Sequence, residues 1–249
     1  MPKTSDTDLP RIIVEDVRKT YRLQHTQSFK ETFLAWIRRK KISTSFEALD
    51  DVTVHVGEGE AVALLGYNGS GKSTLLKLVS GVLRPDAGAV LTRGRVAGLI
   101  EVGAGFHPDL SGRENVFLNA AILGMSRSEI EARFDEIVEF SEIGEFIDTE
   151  VKHYSSGMFV RLAFSVAIHT SLDILLVDEV LAVGDAPFRE KCKAKIRELV
   201  AQRKTLFIVS HDLSMVKQLC TRGVVLRRGR VIYDGAVDEA IAALKATDR

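Results

Sequence analysis

The chain has 249 residues, 45% of them hydrophobic, 27% charged and 7% aromatic, with only 5 prolines. This excludes a disordered, collagenous or disulfide-stapled chain and fits one large domain or two small ones. Lys+Arg and Asp+Glu number 34 each, so the formal charge is zero, which argues against an activity held to nucleic acid mainly by phosphate contacts. No apolar run reaches the roughly 18 residues that a membrane-spanning helix needs.

Met1–Pro10 is polar and lacks the apolar stretch of a secretory signal. A first strand is expected at Arg11–Val17, with Tyr21 a few residues on. Gln27–Lys41 reads as an amphipathic helix: Ser28 and Glu31 stand at capping-box spacing, and Phe29, Phe33, Trp36 and Ile37 share one stripe. Arg38, Arg39, Lys40 and Lys41 close it, as suits a helix C-terminus. A packed surface helix with a solvated basic end and a membrane-surface or partner-docking helix fit this pattern equally. Further strands are expected at Val52–Val56, Glu60–Leu65 and Arg95–Ile100.

Between Leu110 and Thr170 the strand pattern gives way to helices. Ile130, Phe134, Ile137 and Val138 form one stripe behind a capping box at Ser126 and Glu129. Strands resume at Ile174–Val177, Thr205–Ser210, Val224–Arg227 and Val231–Tyr233, the last two turned by Arg228-Gly229. The alternation predicts an α/β fold with a largely parallel sheet, antiparallel strands at the start and end, and an inserted helical subdomain. Cys192 and Cys220 are isolated and read as reduced, half-buried thiols. The histidines do not pair near a carboxylate cluster, so no zinc site is expected.

The chemistry begins at Gly66-Tyr67-Asn68-Gly69-Ser70-Gly71-Lys72-Ser73-Thr74, which follows the apolar Ala61–Leu65 and opens a helix. This is the phosphate-loop pattern in its strand-before, helix-after setting. Glycines let successive backbone N–H groups face an anion at the helix start. Lys72 offers a charge to β- and γ-phosphates, and Ser73 a hydroxyl to Mg²⁺. A second apolar strand, Ile174–Val177, ends in Asp178 and Glu179. Asp178 at a strand end facing the ligand crevice suits Mg²⁺, and Glu179 suits orienting or deprotonating an attacking water.

Tyr154-Ser155-Ser156-Gly157-Met158 precedes the apolar helical run Phe159–Ile168. Here the chain resembles the ATP-binding subunit of ABC transporters, whose signature at this place is usually Leu-Ser-Gly-Gly-Gln; the first, third and fifth positions depart from it. A Ser-Ser-Gly helix start is by itself an ordinary N-cap. With the resemblance, Ser155, Ser156 and Gly157 become candidates to grip a γ-phosphate. The same resemblance makes Tyr21 the aromatic that stacks on adenine, Asp185 the loop aspartate that contacts an opposite subunit, and His211 the histidine that contacts the γ-phosphate. Glu101 occupies a place where the family commonly has Gln, and a carboxylate there is a candidate Mg²⁺ ligand.

Glu101–Pro108, Ser111–Asn115, the Tyr-Ser-Ser-Gly-Met signature and the extra helix at Gln27–Lys41 look like a narrower branch, the ATPases that export lipid-linked polysaccharides such as O-antigen, capsule, teichoic acid or galactan. The resemblance implies a P-loop NTPase with a RecA-like core at 1–109 and 171–249, an antiparallel β subdomain, and a helical signature subdomain at 110–170. It further implies ATP and Mg²⁺, a homodimer of ATPase subunits, integral-membrane permease subunits, no nucleic acid, and a place on the cytoplasmic face of the cell membrane. An importer ATPase and a soluble ATPase acting on ribosomes or DNA are the rival expectations. The second generally needs two cassettes in one chain or a long coiled-coil or zinc-hook insertion, and neither is present in this sequence.

Overall fold

The computed structural model describes residues 9–24, 43–99, 103, 105–178 and 184–247. The expected helix Gln27–Lys41, Glu101 and Glu179 lie outside the described residues.

Two sheets form the frame. In the first, β1 (Ile12–Gln24) pairs antiparallel with β2 (Ser43–Val56) on one side and β4 (Ala87–Thr92) on the other. Ile12, Val14, Val52, Val54 and Val56 turn one face inward and are buried, the alternation expected of a sheet wetted on one side. β4 escaped the sequence reading because its Ala-Gly-Ala start has no apolar alternation and every residue of it is exposed or half-buried. β2 begins well before Val52: its Ser-Thr-Ser-Phe-Glu start is polar in sequence and pairs with β1.

The second sheet contains β3 (Ala61–Leu65), β5 (Val96–Gly98), β6 (Ile174–Val177), β7 (Thr205–Ile208), β8 (Arg222–Arg227) and β9 (Arg230–Ala236), in the order β5-β6-β7-β3-β8-β9. All neighbours are parallel except β8 and β9. Every residue of β3, β6 and β7 is buried, as parallel strands covered on both faces require. Because side chains alternate along a strand, Val62 and Leu64 of β3 enter the core facing the first sheet with Val14, Val52 and Leu75. Ala63 and Leu65 enter the opposite core with Phe164, Phe188 and Ala240. The parallel arrangement brings the carboxyl ends of β3, β6 and β7 to one edge, where ligands of such sheets bind.

The helices are α1 (Lys72–Val79), α2 (Gly112–Ile122), α3 (Arg127–Ser141), α4 (Ser156–His169), α5 (Ala186–Ala201), α6 (Leu213–Leu219) and α7 (Val237–Ala246). Both α2 and α3 start in full capping boxes, Ser111 with Glu114 and Ser126 with Glu129; the sequence reading had identified the second. The Ser126 backbone N–H and the Arg95 guanidinium hold the Glu129 carboxyl down to about 2. Ile130 and Ile137 of α3 are buried in a separate apolar cluster, with Phe134 and Val138 at its edge. One helix belongs to two cores: Leu162 and Val166 of α4 enter the cluster around α3, while Phe164, Ala167 and Ile168 enter the core under the parallel sheet.

Cys192 and Cys220 are free, but they are fully buried rather than half-buried. Burial pushes each thiol up to about 12, so both are inert small hydrophobes. Among the described residues no helix is long and apolar enough to cross a membrane.

Candidate functional site

The loop from Gly66 to Thr74 leaves the end of β3 and starts α1. The N-cap of α1 is Gly71, at φ 109°, and no side chain caps it, so the first helical N–H groups are presented without a side-chain acceptor. Lys72 is nearly buried, and its Nζ donates to the carbonyls of Gly66 at 2.7 Å and Tyr67 at 3.2 Å. The ammonium is thereby held inside the loop. Ser70 is buried as well, and its Oγ has no hydrogen-bond partner. Gly71 cannot carry a side chain: a Cβ there would lie 2.6 Å from the Ala48 carbonyl oxygen and 2.8 Å from Leu49 Cδ2, on a backbone conformation that costs an L-residue about 1–2 kcal/mol before any clash. Gly71→Ala should therefore lower the melting temperature and abolish nucleotide binding together, as thermal denaturation and calorimetry on one preparation would show.

A neighbouring turn braces this loop. Arg228 and Gly229 both have positive φ and form the two-residue hairpin between β8 and β9 that such pairs favour. The Gly229 N–H donates to the Ser70 carbonyl at 3.0 Å, and the Gly229 carbonyl accepts from Asp50 N–H at 2.8 Å. Arg230 pairs with Asp50 across the same junction. The phosphate loop, the hairpin and β2 are thus one rigid unit.

An open cleft of about 380 Å³ lies against this unit. Its walls are Asn68, Gly69, Gly71, Lys72, Ser73 and Thr74 of the loop, Asp178 at the end of β6, and Phe46 and Ala48 of β2. The loop and the first carboxylate of the acidic pair are therefore brought together although they are distant in sequence. A hydroxyl (Ser73) and a carboxylate (Asp178) beside a lysine are hard oxygen donors of the kind Mg²⁺ takes when phosphates complete its shell, so the donor set fits that ion. Phe46, 48% exposed, is a wall residue that the sequence reading missed. Its only signal would have been an aromatic in a polar strand start. Tyr21 is half-buried and pairs with Phe46 in register; it is not among the residues that line the cleft. Neither is His211, which follows β7 and is exposed. The next residue, Asp212, caps α6 through the N–H groups of Ser214 and Met215, and the Ser214 hydroxyl holds its carboxyl below the usual range.

Ser155, Ser156, Gly157 and Asp185 line a second, separate cleft of about 540 Å³. Ser155 is the N-cap of α4 and its Oγ accepts from Met158 N–H at 3.2 Å. Asp185 caps α5 by accepting from Phe188 N–H at 3.2 Å, and its Oδ1 also receives Arg161 at 2.8 Å. Arg161 bonds Glu142 at 2.8 Å on its other side and lies 5.0 Å over the Phe188 ring. One guanidinium thus ties the C-terminus of α3, the start of α5 and the signature helix.

The unusual residues around this turn have structural partners. The Tyr154 hydroxyl donates to the Phe146 carbonyl at 2.7 Å, and burial raises its pKa above the ordinary tyrosine value. A Cβ at Gly112 would fall 2.1 Å from that hydroxyl, so Tyr154 in the signature and Gly112 in α2 fit each other. Asn115 is fully buried; its amide donates to the carbonyls of His107, Leu110 and Ser111 and accepts from His107 N–H. The loop that follows Gly105 is thereby fastened to α2, and Phe106 meets Phe159 of α4 edge-on with ring centres 5.2 Å apart.

A sequence model of the family described as ABC transporter matches residues 49–182. The ABC transporter protein AbcA of Aeromonas salmonicida is 52% identical over 190 residues, which are 76% of this chain and 62% of that protein. The O-antigen export system ATP-binding protein RfbB of Myxococcus xanthus is 45% identical over 246 residues, 97% of this chain and 56% of that one. An RfbB protein of the same description from Klebsiella pneumoniae is 49% identical over 198 residues, 80% of each. The chain therefore spans little more than half the length of the first two relatives. In fold it is similar to the ATP-binding subunit of an ABC transporter, with a TM-score of 0.74 at 23% identity over 94% of this chain and 93% of that one. It is also similar to a dimeric ATP-binding cassette in a post-hydrolysis state bound to ADP and Pi, with a TM-score of 0.70 at 23% identity over 91% and 98% of the two chains.

Proposed function

Because the chain belongs to the ABC transporter family, we propose that it is an ATP-binding and ATP-hydrolysing subunit that powers export of a lipid-linked polysaccharide through separate membrane subunits. The observation that carries the ATPase reading is the cleft shared by an uncapped helix start, Lys72, Ser73 and Asp178. The polysaccharide reading draws support from the RfbB relatives, which are named as O-antigen export ATP-binding proteins.

In this reading Gly66–Thr74 cradles the phosphates, and Lys72 exchanges its loop carbonyls for the β- and γ-phosphates. Ser73 and Asp178, with Glu101 as a further candidate, hold Mg²⁺, which neutralises phosphate charge when bound. Glu179 orients and deprotonates the attacking water, and His211 contacts the γ-phosphate. The loop cleft and the Ser155–Gly157 cleft share no residue, so we assign them to opposite faces of a head-to-tail homodimer in which each ATP lies between the loop of one copy and the signature turn of the other. Closure on ATP and reopening after hydrolysis move α4, and its two-core packing passes the motion to the helical layer and the permease. The amphipathic segment Gln27–Lys41 is the candidate contact with lipid or permease at the cytoplasmic face.

Depleting this chain in its native cell tests the export role. The expected result is loss of surface polymer and accumulation of its lipid-linked form inside, read by glycan mass spectrometry. Normal surface polymer after depletion would overturn it.

A further inference from the structure

Tyr67 belongs to the phosphate loop, yet it is not among the residues that line the loop's cleft. Its side chain reaches instead to the last turn of α7, where the hydroxyl donates to the Leu244 carbonyl at 3.4 Å. Its backbone carbonyl accepts from Lys72 Nζ at 3.2 Å. One residue thus touches both the ammonium assigned to the phosphates and the end of a helix that lies 177 residues away in sequence.

That helix is held unevenly. At its start the Val237 N–H donates to the Thr221 carbonyl at 3.1 Å, and Asp238 pairs with Lys217 of α6 at 2.6 Å. Ala240 is packed so closely on β8 that a Cβ at Gly223 would fall 2.6 Å from its own Cβ, and Val237, Ala240 and Ile241 are buried in the core under the parallel sheet. In the last turn Lys245 and Ala246 are exposed, and Ala243 and Leu244 are half-buried. The final carbonyls of a helix lack donors from the helix itself. The Leu244 carbonyl collects the Thr247 N–H at 3.2 Å and the Thr247 hydroxyl at 2.6 Å, and Tyr67 adds a donor from a distant segment. At 3.4 Å this last contact is long for an O–H···O bond, so little is lost when it breaks.

From this arrangement we propose that Tyr67 is a positioning residue that ties the last turn of α7 to the occupancy of the phosphate loop. When Lys72 exchanges the Tyr67 carbonyl for phosphate oxygens, that carbonyl loses its donor and the Tyr67 peptide is able to turn. The hydroxyl then leaves Leu244 and the last turn of α7 loosens, while the clamped first half stays in place. The inference rests on the nucleotide site proposed above and adds to it a second element that responds to the nucleotide.

Hydrogen–deuterium exchange of the full chain tests it, measured without ligand and with a saturating magnesium complex of a non-hydrolysable ATP analogue, saturation being set by calorimetry. In the wild type the analogue should speed exchange of the amides at 244–247 at least about threefold and leave those at 237–241 unchanged. Tyr67→Phe keeps the ring and the loop carbonyl but lacks the hydroxyl. Without ligand it should already exchange at 244–247 as fast as the analogue-bound wild type, and the analogue should add nothing further. A last turn that ignores the analogue in the wild type overturns the inference. Wild-type exchange in the ligand-free variant does so as well, and so does a response to the analogue that persists in Tyr67→Phe, which would trace the change to dimer closure or the core. If calorimetry shows no binding by the wild type, the nucleotide site itself fails and the inference falls with it. A wild type that binds the analogue with α7 unmoved leaves that site standing.

Discussion

Replacing Lys72 by Ala should reduce ATP hydrolysis by at least about 100-fold. Removing one preorganised donor aimed at developing charge costs roughly 10²–10³ in kcat, and Lys72 is a full charge in a nearly buried position. The same substitution should also destabilise the ligand-free protein. Lys72 Nζ donates to the Gly66 and Tyr67 carbonyls, and a buried carbonyl left without a donor costs about 1–3 kcal/mol. For a chain of this size each kcal/mol is about 2–4 °C in melting temperature, so a loss of a few degrees is expected by calorimetric scanning. Lys72→Gln separates the two effects: its amide can donate to the loop carbonyls but carries no charge. It should regain much of the lost thermal stability while remaining inactive. Hydrolysis by Lys72→Ala within tenfold of wild type would sink the role assigned to the lysine.

Gly157→Asp should abolish turnover while leaving the subunit folded and able to bind ATP at its own loop. A Cβ at Gly157 would meet only Ser155 Oγ, at an ordinary 3.8 Å. Residue 157 lies in the first turn of α4, where a carboxylate gains about 0.3–1 kcal/mol from the helix dipole. The monomer should melt at the wild-type temperature or slightly above it. In the proposed head-to-tail dimer the penalty falls on the partner's nucleotide, because a carboxylate about 4 Å from a phosphate charge costs on the order of 4 kcal/mol at an effective dielectric constant of 20, close to a thousandfold. ATP-driven dimerisation, followed by light scattering, should disappear along with hydrolysis, while calorimetric ATP binding to the monomer persists. If this variant turns over ATP normally, the signature turn does not face a phosphate.

These two substitutions act on clefts that one chain keeps apart, and the polar ties around the second show how its parts are held. Glu142, at the C-cap of α3, receives Arg161 at 2.8 Å and Lys191 of α5 at 3.0 Å. Arg95, just before β5, reaches Glu129 in the first turn of α3 at 3.0 Å. Such exposed or half-exposed pairs contribute little individually. Their effect is to set the orientation of the helical layer without binding it irreversibly, which suits a part expected to move.

Much of the fold was legible from local pattern. The fully buried β3 and β6 follow from continuous apolar runs, the start of α3 from Ser126 and Glu129, and the phosphate loop from glycine and lysine spacing, because each depends on residues adjacent in the chain. β4 and the polar start of β2 were not legible, since neither shows an apolar alternation in sequence and both pair with β1. The full burial of Cys192 and Cys220 depends on helices packing over the sheet, which no spacing reveals.

For the candidate site the division is similar. By itself the sequence determined the phosphate loop, the acidic strand end and the order of the remaining motifs, because anion binding at a helix start is a property of a short continuous segment. Only the tertiary structure decided that Asp178 shares a cleft with Ser73 and Lys72, that Phe46 rather than Tyr21 forms its wall, and that Asp185 is held by Arg161 beside Ser155. Each of those placements depends on which strand lies next to which, and on helices that meet across two cores; hydrogen bonds and burial between distant segments set them, and these have no signature in the spacing of neighbouring residues.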